Sequence, residues 1–162
     1  MERIVLADLS DPAHSEAVVF LLNEYASGEM GGGVELTDFV KQNLVAELHK
    51  RAGSIHSVLA FIDNEPAGLA ICVEGFSSFA CKPLLNVHDI VVASKFRGRG
   101  LSKRILARIE ALAVELGCCK LTLEVLEGNK VAQSAYKAFG FEGYELNPRT
   151  GKALFWQKKL GN

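Results

Sequence analysis

Residues 84–116 constrain the fold more than any other stretch of the 162-residue sequence. A β-branched, largely apolar run, LLNVHDIVVA, passes through SKFRGRG straight into a helical pattern. In that pattern Leu101, Ile105, Ile109, Leu112 and Leu116 recur at helical spacing, and Gly117 follows as a stop. A buried strand that feeds an amphipathic helix through so short a turn must lay that helix across its own sheet. The chain is therefore expected to be α/β, with helices packed on a central sheet.

The flanking segments extend this reading. RIVLA (3–7) reads as a strand, and Asp11 with Pro12 starts a helix to about Ala26. SGEMGGG (27–33) is a loop, after which Thr37 caps a second helix. SVLAFID and EPAGLAICVEGF are two strands joined at DNEP, a hairpin. Beyond Gly117, KLTLEVL (120–126) alternates as a strand and Asn129–Phe139 reads as a helix closed by Gly140. FEGYEL and ALFWQKKL are expected to form a last strand pair. The whole, residues 1–162, is read as one domain with a mixed, mostly antiparallel sheet and about four helices (α+β in the broad sense).

Composition fits such a domain: 49% of residues are apolar and 23% charged, enough to bury a core. No apolar run has the length of a membrane span, and the first residues lack a signal-peptide core, so a cytoplasmic location without membrane contact is expected. The net charge of −1 gives no sign of a nucleic-acid partner. Cys72, Cys81, Cys118 and Cys119 show neither C-x-x-C spacing nor histidines at ligand spacing, so free thiols and no metal are expected.

Charge is unevenly spread. Glu2, Asp8, Asp11, Glu16, Glu24 and Glu29, then Glu35 and Asp38, face one base, Arg3, within the first 40 residues. Lys95, Arg97, Arg99, Lys103, Arg104 and Arg108 follow one another with no acid between them. This basic cluster coincides with the glycine turn. Gly98 and Gly100 permit close backbone approach and unusual dihedrals, and the first amides of the next helix lack intrahelical partners. Those amides and the positive helix end suit a phosphate. The turn is neither a Walker A loop nor a Rossmann loop, since Lys103 stands where the third Rossmann glycine would be.

These residues resemble the GCN5-related N-acetyltransferase superfamily. Its loop reads Arg or Gln, two residues, Gly, one residue, then Gly or Ala; here it is Arg97, Gly98, Arg99, Gly100, Leu101, Ser102, with Ser102 departing from the pattern. A second match follows in the order the superfamily has it: Asn129, Ala132, Tyr136, Gly140 and Phe141. The resemblance spans roughly residues 57–160, and VHDIVVASKFRGRG is most similar to polyamine and related small-amine acetyltransferases. There the strand commonly carries a glutamate where this chain has His88, followed by the aspartate matched by Asp89.

The resemblance implies a sheet splayed open beside the loop, acetyl-CoA as co-substrate, a small amine acceptor and a homodimer. It implies that Arg97 to Ser102 hold the diphosphate, that backbone amides of Ile90, Val91 and Val92 meet the thioester oxygen and the pantetheine arm, and that Asn129 and Tyr136 lie near the cofactor. It also puts the acceptor beside Glu29, Glu35 and Asp38, where acids would favour a cation such as a polyamine or a basic amino acid.

The chemistry sets its own demands. An alkylamine of pKa about 10.4 costs roughly 4.6 kcal/mol to present as the free base at pH 7. His88 has a side chain suited to taking that proton, with Asp89 as second choice and Glu74 or Glu124 as further strand-borne candidates. Tyr136 can return a proton to the departing thiolate. For Asn129, capping its own helix is an equally good account. Two other functions remain open on these residues: acetylation of protein N-termini or lysines, and acetyl-CoA binding without catalysis.

Overall fold

The computed structural model describes residues 1–161. The chain divides into two compact units, Met1–Leu123 and Glu124–Asn162.

The first unit is built on a five-stranded sheet in the order β1-β2-β3-β4-β5, where β1 is Glu2–Leu6, β2 Ile55–Ile62, β3 Glu65–Ser77, β4 Lys82–Val92 and β5 Leu121–Leu123. The first four pair antiparallel, and β5 joins β4 in parallel after the crossover helix α3 (Leu101–Glu115). The β2–β3 hairpin turns at Asp63 and Asn64, both at positive φ (51° and 66°), as a tight hairpin requires.

Local signals account for the helices. In α1 (Pro12–Ser27), Asp11 Oδ1 accepts from the Ala13 N–H at 2.9 Å and Pro12 occupies the first position. In α2 (Asp38–Lys50), Thr37 Oγ1 accepts from Val40 N–H. Helix α3 stops where Gly117 takes φ +71° and the Cys118 N–H reaches Ala113 O at 2.9 Å.

Val58–Phe61 and Leu69–Cys72 are buried at every consecutive position, so both faces of the sheet are covered. Leu101, Ile105, Leu106 and Ile109 of α3 cover one face, and Val18 and Leu21 of α1 are fully buried as well. Gly68 shows how close α3 lies: a Cβ there would sit 2.6 Å from Ile105 Cδ1 and 3.1 Å from Val91 O.

The second unit contains α4 (Lys130–Phe139), capped by Asn129 Oδ1 on the Ala132 N–H at 3.1 Å and closed by Gly140 at φ +112°. The strand pair expected from FEGYEL and ALFWQKKL is not formed among the described residues. A turn at Asn147–Gly151 brings the two segments together in a single bridge, Glu145 to Lys152, and Ala153 to Gly161 form no strand. A lone two-stranded hairpin has too little apolar burial to propagate, and this unit has no sheet of its own to build on.

The Gly68–Ile105 contact gives a direct test. Gly68→Ala is expected to destabilise the fold by roughly 1–3 kcal/mol through overpacking. Adding Ile105→Val, which removes the offending Cδ1, should recover part of the loss in urea unfolding. Simple additivity of two destabilising changes would refute this account of the packing.

Candidate active site

Strand β4 carries the centre of the site, and its two sides differ. Against β3 it is paired almost throughout, whereas against β5 it is paired only at Leu85, Asn86 and Val87, with Leu121, Thr122 and Leu123. From His88 to Val92 the sheet is open on the β5 side among the described residues, as the sequence resemblance implied.

The opening coincides with a β-bulge. Val87 pairs with Cys72 and Asp89 with Ile71, which leaves His88 as the extra residue. Strict alternation would send His88 and Asp89 to opposite faces. The bulge interrupts that alternation, and the two side chains have different surroundings. His88 is exposed, while Asp89 is half-buried, with Tyr25 of α1 and Cys72 of β3 within electrostatic reach. Burial raises the Asp89 carboxyl above the ordinary carboxylate range, and the neighbouring His88 pulls the other way. Burial, with Asp89 adding to it, also raises the Tyr25 phenol and pushes the Cys72 thiol up to about 12. Cys72 is thus no nucleophile. Glu74 lies further along β3, with Oε2 3.6 Å from His56 Nε2.

Beyond Val92 the chain makes a one-turn 3-10 helix, Ser94–Phe96, then the glycine turn. Gly98 and Gly100 take φ +75° and +70°, the left-handed region that favours glycine. Gly100 is the N-cap of α3 and offers no side-chain cap, so the helix amides from Leu101 onward are left for a ligand. Leu101 is buried as a side chain, so only its backbone can serve; Ser102 is partly exposed.

The basic cluster splits into two sets. Arg104 is committed to β1: its Nε and Nη2 each donate at 2.7 Å to the Glu2 carboxylate, and Nη1 donates to Arg99 O at 2.9 Å. Lys95 pairs with Glu65 and Arg108 with Glu115. Arg97, Arg99 and Lys103 have no carboxylate partner among the described residues. Arg97 Nε folds back onto Val92 O at 3.1 Å, and Arg99 lies over the Phe96 ring at 5.6 Å. This donor set suits a diphosphate: unclaimed amides, two left-handed glycines and three cations without a carboxylate partner among the described residues.

The acids assigned to the acceptor side lie in the first unit. Glu29 is exposed in the short turn Glu29–Gly31 and Asp38 is exposed at the start of α2. Glu35 is already engaged, accepting from Lys41 Nζ at 2.7 Å, and that bond lowers its pKa. In the second unit Asn129 performs its capping role and Tyr136, partly buried on α4, packs edge-on against Phe141 at 6.0 Å. Among the described residues no group of His, Cys, Asp and Glu is placed to hold a metal, and no helix is long and apolar enough to cross a membrane.

Sequence reasoning missed the bulge at His88, the capture of Arg104 by Glu2 and a contact from Glu24 to the turn. None of these leaves a local signature, because each joins residues distant in sequence.

Comparison with known proteins places this geometry. The structure superposes on AAC(6')-Iy in complex with the bisubstrate analogue CoA-S-monomethyl-acetylneamine with a TM-score of 0.76 over 99% of both chains, at 21% identity. In sequence the chain is 29% identical over 126 residues to the thialysine N-epsilon-acetyltransferase of Caenorhabditis elegans, covering 77% of this chain and 75% of that one. It is 35% identical over 83 residues to the Bos taurus thialysine N-epsilon-acetyltransferase, where the match spans about half of each chain (48%). A family model described as the Acetyltransferase (GNAT) family matches residues 20–141. Fold and site together define an acetyl-CoA-dependent N-acetyltransferase. The chain belongs to the Acetyltransferase (GNAT) family.

Asp89 supplies a pH test. Its folded-state pKa is raised, so the folded state is favoured while the proton is on, and that advantage is lost as pH rises through the folded pKa. Asp89→Asn should therefore melt above the wild type at pH 7. The gap should close as the pH is lowered through the carboxylate range. A variant that melts lower at pH 7 by the same margin at every pH would refute the desolvation argument.

Proposed function

We propose that this enzyme transfers acetyl from acetyl-CoA to a primary amine of a small cationic acceptor, by direct attack within a ternary complex. The observation that carries the reading is the open side of β4 from His88 to Val92, running into the left-handed Gly98–Gly100 turn and an uncapped helix. An extended pantetheine arm can pair with such an edge as an added strand does, while its diphosphate meets the helix amides, with Arg97, Arg99 and Lys103 adding charge.

In this mechanism acetyl-CoA supplies the activated acyl group. A backbone amide from Ile90 to Val92 polarises the thioester oxygen and receives the developing negative charge. The amine nitrogen attacks the carbonyl carbon, the C–S bond breaks and the sulfur leaves as thiolate. His88, exposed at the bulge, takes the ammonium proton directly or through water. Asp89 beside it is the second candidate base, its carboxyl lifted by burial toward the range where a base works. Tyr136, by its place in the second motif, protonates the thiolate.

Glu29 and Asp38, exposed and with no Lys or Arg partner among the described residues, draw a positively charged acceptor to the loop after α1. The similarity to thialysine N-epsilon-acetyltransferases, and to an Aminoglycoside N(6')-acetyltransferase type 1, supports an amine on a small molecule as the acceptor. We further propose a homodimer with the single active-site type described, acting in the cytoplasm.

Thiol release measured with thialysine, neamine, spermidine and a lysine-containing peptide is expected to be fastest with one of the three small amines. A preference for the peptide would refute the acceptor class, and no release with any of them would refute catalysis. Tyr136→Phe should bind acetyl-CoA like the wild type but lower kcat about tenfold or more. An unchanged kcat would remove Tyr136 as the acid.

A further inference from the structure

The last turn of α1 carries no motif, yet it reaches the cofactor turn. Glu24 Oε1 accepts a 2.7 Å hydrogen bond from the backbone N–H of Ser94. Ser94 opens the 3-10 turn that follows β4, and buried Phe96 closes it before Arg97 and Gly98. The aim of the glycine turn is therefore set at Ser94.

The helix end that bears Glu24 is itself fixed. Asn23 Oδ1 accepts from the Leu36 N–H at 2.9 Å, Tyr25 O from the Gly28 N–H at 3.0 Å and Ala26 O from the Val34 N–H at 3.1 Å. Gly31 lies so close that a Cβ there would come within 2.0 Å of Tyr25 O. On the strand side, the Ala93 N–H donates to Ala67 O at 2.9 Å. The Ser94 amide is thus held between a locked helix end and a locked strand end.

A carboxylate is an unfavourable neighbour for an incoming diphosphate, since like charges repel. Its charge cannot be what the cofactor needs, which leaves its geometry as a hydrogen-bond acceptor. We propose that Glu24 is a positioning residue for acetyl-CoA, acting through the Ser94 amide to fix the aim of the phosphate turn. The proposal rests on the placement of the diphosphate at Gly98–Ser102.

Coenzyme A titration calorimetry and acetyl-CoA saturation kinetics test it. Glu24→Ala should raise the coenzyme A Kd and the acetyl-CoA KM about tenfold, as expected for loss of the hydrogen bond that holds the Ser94 amide. Its kcat at saturation should stay within about twofold and its melting temperature should match the wild type. Glu24→Gln keeps an acceptor oxygen and drops the charge, so it should bind as tightly as the wild type or more tightly. Glu24→Asp keeps the charge but withdraws it from Ser94, so it should bind more weakly and carries the test if the alanine variant does not fold. Gly100→Val is run in parallel and should lose coenzyme A binding while remaining folded. If Gly100→Val loses binding while Glu24→Ala and Glu24→Asp bind normally, the positioning role falls and the diphosphate placement stands. If Gly100→Val binds normally, the diphosphate placement itself falls. Equal weakening by glutamine and alanine would overturn the acceptor role.

Discussion

The parallel pairing of β4 with β5 lasts three residues, from Leu85 to Val87, and the arrangement of the site follows from where it stops. A backbone strand cannot leave its polar groups without partners in a buried sheet. On the open side of β4, one carbonyl, that of Val92, is taken by Arg97 Nε, folded back from the turn. The remaining edge is short, lies at the exit of the strand and leads into a helix whose first amides are also unclaimed. We propose that one ligand, an extended arm joined to a diphosphate, satisfies both needs at once. The left-handed conformation of Gly98 and Gly100 lets the chain leave the strand and enter α3 through backbone angles that favour glycine, with no side chain at either position.

At the bulge two adjacent residues have different electrostatic environments. His88 meets solvent where the sheet opens, and Asp89 lies half-buried with Tyr25 of α1 and Cys72 of β3 within electrostatic reach. Burial, with the Asp89 carboxyl adding to it, raises the Tyr25 phenol and the Cys72 thiol, so both stay protonated.

The elements legible in the sequence were those with local causes. Asp11–Pro12, Thr37 and Asn129 each cap a helix through a contact two or three residues away. Asp63–Asn64 closes a hairpin because both residues tolerate positive φ, and Leu101, Ile105 and Ile109 form a buried stripe by spacing alone. The glycine turn was legible for the same reason. What the sequence hid depends on pairing over distance. A bulge at His88 exists only relative to Ile71 and Cys72 on the neighbouring strand, and neither segment carries a mark of it. ALFWQKKL opens with an apolar run that suits a strand, but such a run does not say whether a partner strand is present; here a single bridge is formed just before it, at Lys152. Arg104 read as one more phosphate-binding cation until Glu2, at the other end of the unit's sequence, claimed it.

That last case changes how the basic cluster works. The pairs Lys95–Glu65 and Arg104–Glu2 lie at the surface, with side chains between about one third and two thirds exposed, and such pairs contribute about 0–1 kcal/mol each. Their value lies in placement. Glu65 belongs to β3 and Glu2 to β1, so the two pairs tie the segments before and after the glycine turn to the sheet, and Arg104 Nη1 holds the Arg99 carbonyl between them. A turn held this way gains a defined shape, while the cations spent on holding it lose their pull on an anion. Arg97, Arg99 and Lys103 keep theirs. The net charge of the chain is −1, so attraction for a diphosphate cannot come from the protein as a whole. In the proposed complex it comes from these three side chains and the helix amides beside them. Their attraction falls off beyond a Debye length of about 8 Å at physiological salt, so their pull on an anion is local to the turn.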